Sequence, residues 1–188
     1  MASPHRYSLH VEPRGALAIS QHYIRELVYG ANDGVITTFA VVAGVTGGTL
    51  QPVAVLVLGV ANLLADGLSM GVGNYLGIRS DERVREKQQL PEQEAFPVRH
   101  GIATFVAFVI AGAVPLVPYV IAGGVTNRFA WSTILSLAAL FFIGAARSRV
   151  GTGNWWTNGL EMLGLGTIVA LAAYGSGAFV AALVRQTG

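Results

Sequence analysis

From residue 27 onward the chain alternates long apolar runs with short polar interruptions. A helix that crosses a bilayer needs about 20 mainly apolar residues. Residues 101–127 contain no Asp, Glu, Lys or Arg. Residues 129–146 give 18 uncharged positions between Arg128 and Arg147, and 162–184 give 23 between Glu161 and Arg185. The run 34–65 is too long for one span, and TGGTLQP at 46–52 divides it with Gly and Pro. The pattern predicts five helices, at about 27–46, 53–76, 101–123, 129–146 and 159–184, with short turns joining the first to the second and the third to the fourth. The sizeable charged stretch, RSDERVREKQQLPEQEAFPVRH at 79–100, is expected to continue the second helix into the cytosol and to stop it near Pro91.

Composition agrees with a lipid-facing chain. Of 188 residues, 53% are hydrophobic and 12% are Asp, Glu, Lys or Arg, about half the charged share of an average soluble domain. The mean hydropathy is +0.55. A net charge of +2 is carried by twelve basic residues scattered between apolar runs, which form no stripe for nucleic acid. The absence of cysteine excludes disulfides, thiolate metal sites and Cys nucleophiles. The first 26 residues lack an apolar h-region, so no cleavable signal is expected and the first spanning helix must direct insertion. Placing the N-terminus inside puts Arg6, Arg14, Arg25, Arg79, Arg83, Arg85, Lys87, Arg99, Arg147 and Arg149 on that side. Only Arg128 and Arg185 are left outside. That asymmetry predicts an N-in/C-out topology with an odd number of spans. The expected fold is an all-α integral membrane protein: a cytosolic segment 1–26, then a five-helix transmembrane domain over 27–188.

Ionisable groups inside a membrane cost about 2.5–3.5 kcal/mol on insertion scales, so each is a functional candidate. Asp33 and Asp66 fall within predicted spans, with Glu26 and Glu161 near the inner boundary. His22, Glu26, Asp33 and Thr37 recur at helical spacing on one face, and Asn62, Asp66, Met70 and Asn74 form a second stripe at steps of four. At 1.5 Å per residue, Asp33 and Met70 each lie roughly 9–10 Å from the inner end of their antiparallel helices, which would let them face each other with Asp66 one turn deeper. Carboxylates alone suit Mg²⁺ or Ca²⁺, whereas a thioether shifts preference toward softer first-row metals. Because metal displaces protons from carboxylic acids, such a stripe is the physical basis of a metal/proton exchanger.

Plainer readings stand beside these. Met70 alone reads as core filler, Asn62 and Asn74 as interhelical hydrogen-bond glue, Asp33 as a cap on a broken helix and Asp66 as half of a structural ion pair. His5, His10 and His22 read as surface residues, with a metal role as the lesser alternative. Glu161, beside Trp155 and Trp156, reads equally as an interfacial anchor or a ligand. The glycine repeats Ala40-Gly44-Gly48 and Gly67-Gly71 read as small-residue packing faces.

Two segments, LVYGANDGVITTFAVVAGVTGG at 27–48 and ANLLADGLSMGVGNYL at 61–76, resemble the vacuolar iron transporter family. So do ATFVAFVIAGAVPLVPY in the third helix and GLEMLGLGTIVALAAYGSG in the fifth. The resemblance implies five helices, a two-fold homodimer with the pathway at the subunit interface, and export of Fe²⁺ from the cytosol in exchange for protons. It implies Glu26, Asp33, Asn62 and Met70 as ion-path residues. Better-known members carry a glutamate-rich, helical metal-binding domain between the second and third helices, where this chain has only the 79–100 connection. Asn62 and Asn74 stand where some members have carboxylates, which leaves Mn²⁺ or another divalent ion open as substrate. The expected function is therefore a proton-coupled Fe²⁺ or Mn²⁺ transporter, not an enzyme. Its metal site would be drawn from Asp33, Met70, Asp66, Glu26, Asn62 and Asn74, and it would hold no permanently bound cofactor. The expected partners are the lipid bilayer, the divalent ion, protons and a second copy of the chain, in a membrane of bacterial cytoplasmic type. The alternative is a non-transporting membrane protein that binds metal or a partner through 79–100.

Overall fold

The computed structural model describes residues 8–11, 13–121, 127–148 and 153–187, and what it describes is almost entirely helical. A short helix α1 (Ala16–His22) leads into α2 (Ile24–Gly47), α3 (Pro52–Lys87) and α4 (Pro97–Gly112). A 3₁₀ turn (Val114–Leu116) and α5 (Val117–Val120) follow, then α6 (Arg128–Arg147) and α7 (Trp155–Thr187). Five stretches are long and apolar enough to cross a membrane: Ile24–Gly47, Pro52–Lys87, Pro97–Val120, Arg128–Arg147 and Trp155–Gln186.

Local chemistry sets the boundaries. Pro52 opens α3 at its first turn, where the missing N–H costs nothing. Asn127, in the left-handed region, caps α6 by accepting the Ala130 N–H at 3.1 Å. The α2 end closes with Thr49 left-handed, the Leu50 N–H donating to the Val45 carbonyl at 3.1 Å and the Thr49 N–H to Thr46 at 3.0 Å. This is the paired closure in which two orphan carbonyls are satisfied. The same closure ends α3, with Gln89 left-handed and Leu90 bonded to Arg85. As expected, α3 continues past residue 79, but this turn stops it at Lys87, ahead of Pro91. At 36 residues, α3 runs for about 54 Å, well beyond a hydrocarbon core of about 30 Å.

The third span departs from the single helix predicted. It starts earlier, at Pro97, and breaks after Gly112, because Pro115 and Pro118 supply no N–H to an α-helical ladder. The break leaves carbonyls without helical partners. Ser132 of α6 donates its hydroxyl to the Pro115 carbonyl at 2.7 Å, so a neighbouring helix satisfies one of them.

Helix α2 is the central element, in contact with α3, α4, α6 and α7. Its buried face includes Val35, Thr38, Phe39, Val42 and Ala43. Around it Val55, Leu63, Phe108, Leu116 and Tyr119 form the main core, and Leu140 and Met162 cover Val35 on the other side. By contrast α3 buries one narrow stripe, Val55, Gly59, Leu63, Gly67 and Gly71, at steps of four. Apart from Leu56, which packs against the main core, its remaining Val and Leu side chains point outward, as do most of those on α7.

Glycine governs how closely these helices approach. A Cβ on Gly34 would run into the backbone carbonyl of Phe108, and one on Gly71 would lie 2.8 Å from the Gly101 carbonyl. Both α2 and α3 thus rest on the backbone of α4, as small-residue packing in a membrane requires. Gly73 has open space around the same position. Gly34→Ala is therefore expected to destabilise the detergent-purified protein by about 1–3 kcal/mol through overpacking. Gly73→Ala should leave stability unchanged or raise it slightly, both read as thermal unfolding by circular dichroism.

Candidate metal-translocation site

The two polar stripes meet between α2 and α3. Asn62 donates from Nδ2 to Thr37 Oγ1 at 3.4 Å, and the Thr37 hydroxyl donates to the Asp33 carbonyl at 2.8 Å. That contact fixes the register of two antiparallel helices. One turn nearer the end that carries the 79–100 connection, Asp33 and Asp66 come level, and the Asp33 carboxyl lies within range of the charge on Asp66. Asp66 rather than Met70 thus stands level with Asp33. Helix ends inferred from hydropathy misplace the levels by a turn, because α2 starts at Ile24 and α3 runs on to Lys87.

Both carboxylates are partly buried, and neither forms an ion pair with a basic side chain among the described residues. Two like charges close together in a medium of low dielectric repel strongly, and a cation or a proton between them relieves the repulsion. Asn62 adds an amide oxygen at the level above. Met70, one turn further toward the connection, is partly buried and packs against the core that contains Leu63 and Phe108.

Asn74 is engaged elsewhere. Its Nδ2 donates to the buried Thr104 Oγ1 of α4 at 2.9 Å, and Thr104 in turn donates to the His100 carbonyl at 3.0 Å. This is a clamp between α3 and α4. Glu26, in the first turn of α2, is 4% exposed. Its Oε1 lies 3.1 Å from His100 Nδ1, and its Oε2 is buried without a hydrogen-bond partner. Seven residues separate Glu26 from Asp33, about 10 Å along the same helix face. Glu161 is exposed and 3.7 Å from Arg147, a surface pair worth at most about 1 kcal/mol.

The histidines differ most from expectation. His10 and His22, expected at the surface, have side chains only 7% and 21% exposed, and with the buried His100 they gather around Glu94. His5 lies outside the described residues. Contacts between positions so distant in sequence leave no periodic signal. The one local hint was His22, which shares the face of Glu26.

An all-helical bundle with five membrane-length helices, two of which bring a pair of carboxylates level, defines a multi-pass membrane protein. The sequence model described as the VIT family matches residues 24–96 and 81–178, and the chain belongs to that family. Among similar proteins, vacuolar iron transporter 2 of Oryza sativa subsp. japonica is 23% identical, over 81% of this chain and 85% of the relative. Vacuolar iron transporter 1 of Arabidopsis thaliana is 24% identical over 80% and 83%. The vacuolar iron transporter of Toxoplasma gondii (strain ATCC 50861 / VEG) is 23% identical over 88% and 76%. The Oryza alignment runs to 209 residues, more than the 188 of this chain, so the relative carries residues within the matched region that this chain lacks.

The two asparagines are expected to separate by experiment. Asn62→Ala and Asn74→Ala should each cost about 0.6–1.7 kcal/mol, the range for interhelical hydrogen bonds in membranes, measured by unfolding in detergent. Only Asn62→Ala should also alter metal flux in reconstituted vesicles.

Proposed function

We propose that the chain is a transporter of divalent metal, Fe²⁺ or Mn²⁺, that moves the ion out of the cytosol in exchange for protons. The observation that carries this reading is the level pair of partly buried carboxylates, Asp33 and Asp66, without a basic partner among the described residues. The relatives named as iron transporters support metal as the cargo. Asp33 and Asp66 bind the ion, Asn62 contributes its amide oxygen, and Met70 offers a soft donor one turn closer to the connection. Glu26 passes ion or proton between the connection end and this pair.

On this reading the topology is N-in/C-out, and the metal enters from the side of the 79–100 connection. A second copy of the chain completes the path about a two-fold axis. One chain offers few ligands, its carboxylates are only partly buried, and an isologous contact doubles the set. The residues that the relatives have and this chain lacks fall, we propose, at 79–100, because the two family matches overlap at 81–96. No catalytic step is assigned.

Exchange with protons has a definite sign. Acid on the accepting side drives metal toward it, while acid on the cytosolic side competes with metal for the carboxylates. The test is Fe²⁺ and Mn²⁺ uptake into proteoliposomes with an acidic interior standing for the side outside the cytosol. Uptake should collapse when an ionophore removes the gradient. Asp33→Asn and Asp66→Asn should each slow it about tenfold or more, a loss of about 1.4 kcal/mol or more. Equal flux in these variants and the parent would remove the carboxylate pair from the path. Saturable metal binding with no gradient-dependent flux would instead support the non-transporting alternative.

A further inference from the structure

A second group of metal-ligand side chains lies at the connection end, outside the seam between α2 and α3. His10 Nδ1, His22 Nε2 and His100 Nε2 lie 3.4, 3.7 and 3.1 Å from a single atom, Glu94 Oε2. The ligand atoms of His10, His22 and Glu94 all fall within 4.8 Å of one another. Zinc-like ions bind imidazole and carboxylate at about 2.0–2.2 Å, which places neighbouring tetrahedral ligands about 3.3–3.5 Å apart. The three separations bracket that edge length.

A plain hydrogen-bonded tether accounts for the group poorly. One carboxylate oxygen accepts about two hydrogen bonds, yet three imidazole nitrogens converge on this one. His22 Nε2, one of the three converging nitrogens, is buried with no hydrogen-bond partner meeting full geometry. A buried polar atom of this kind takes a water, a ligand or an ion as its partner. His100 also shows the arrangement common to metal-bound imidazoles, in which a carboxylate holds the second ring nitrogen. Here Glu26 Oε1 lies 3.1 Å from His100 Nδ1, leaving Nε2 directed at Glu94.

The surrounding chain holds these groups in place. Glu82 Oε1 accepts the backbone N–H groups of Gln93 and Glu94, each at 3.0 Å, which fixes Glu94 relative to α3. The Leu9 N–H donates to the Glu92 carbonyl at 2.8 Å, binding the segment before α1 alongside the connection and bringing His10 over Glu94. His22 ends α1 and His100 lies in the first turns of α4. Four separate parts of the chain thus bring three imidazoles to one carboxylate, with His10, His22 and Glu94 mutually close and His100 joined to them through Glu94.

We infer that His10, His22, His100 and Glu94 form a binding site for one divalent transition-metal ion per chain, with Glu26 orienting His100. Three nitrogens and a carboxylate favour ions such as Fe²⁺, Co²⁺ and Zn²⁺ over Mg²⁺ and Ca²⁺, which take oxygen ligands. Because Glu26 also begins the polar face that leads to Asp33, the site loads the transport path. That role rests on the function proposed above, whereas the binding itself does not.

The probe is Co²⁺, titrated into the full-length protein in detergent and followed by visible absorption and equilibrium dialysis. The parent should bind Co²⁺ with a spectrum of low coordination number that excess Mg²⁺ leaves unchanged. His22→Gln and His10→Gln keep a donor for Glu94 but remove the imidazole. Each should weaken Co²⁺ binding by more than about 100-fold, and Glu26→Gln by about 10–100-fold, the usual effect of losing a carboxylate behind a ligand. Asp33→Asn should leave the affinity and spectrum of this site as in the parent. The site is refuted if the parent gives no saturable Co²⁺ signal, or if the glutamine variants, shown to be folded by helix content, bind as the parent does. It is equally refuted if Asp33→Asn alone abolishes the signal. A parent that binds Co²⁺ here but shows no gradient-driven flux would count against the transport function and leave this site standing.

Discussion

The close backbone contact of α4 with α2 and α3 is the constraint on which the rest of the bundle depends. Lipid gives helices no hydrophobic reason to associate, so tight van der Waals contact between backbones has to supply much of the attraction. Gly34 against Phe108 and Gly71 against Gly101 provide that contact on successive helices. With α4 held in this way, Asn74 reaches Thr104 and Asn62 reaches Thr37. Those two hydrogen bonds fix the height of α3 relative to its neighbours. The level pairing of Asp33 with Asp66 is a consequence of glycine packing of the same two helices against α4, as much as of the acids themselves.

The stripe on α3 therefore serves two purposes that its sequence does not separate. Asn62, Asp66, Met70 and Asn74 occur at steps of four, and a regular stripe reads as one surface. In three dimensions a helix that crosses its neighbours at an angle turns the two ends of such a stripe toward different partners. Asn62 and Asp66 meet α2, whereas Asn74 meets α4. Met70 lies between them against the core. On the proposed reading the ion sees the upper part of the stripe, and the lower part holds the helices at the spacing the ion needs.

What the sequence made legible was what has a period or a length. Five spans follow from apolar run length, and the polar faces of α2 and α3 follow from helical spacing. The extension of α3 past residue 79 follows from the uninterrupted helical pattern there. What stayed hidden depended on pairing across the bundle. The register of α2 on α3 is set by a hydrogen bond between residues 37 and 62, and no count along one helix reveals it. The break after Gly112 has its cause in Pro115 and Pro118, but the uncharged apolar run around them has the length of a single span. The group of three histidines and Glu94 was the least legible, because its members stand at 10, 22, 94 and 100 and all four sit in segments that hydropathy treats as loop or boundary.

The short connection then takes on a role out of proportion to its length. From Gln88 to Phe96 it contains no helix, yet its carbonyl at Glu92 and its amides at Gln93 and Glu94 are all bonded, to Leu9 on one side and Glu82 on the other. Such bonding is more than a solvated link between two spans requires. Backbone groups exposed to water need no protein partner, so the contacts to Leu9 and Glu82 bear on position instead of on satisfying polar atoms. What they position is Glu94, the carboxylate at the centre of three imidazoles. A chain whose relatives carry additional residues in the matched region has kept a folded crossing where a slack loop would join the helices equally well. On the metal-site reading, that crossing retains in a few residues the placing of ligands ahead of the membrane, using imidazoles that the N-terminal segment, α1 and α4 bring to it.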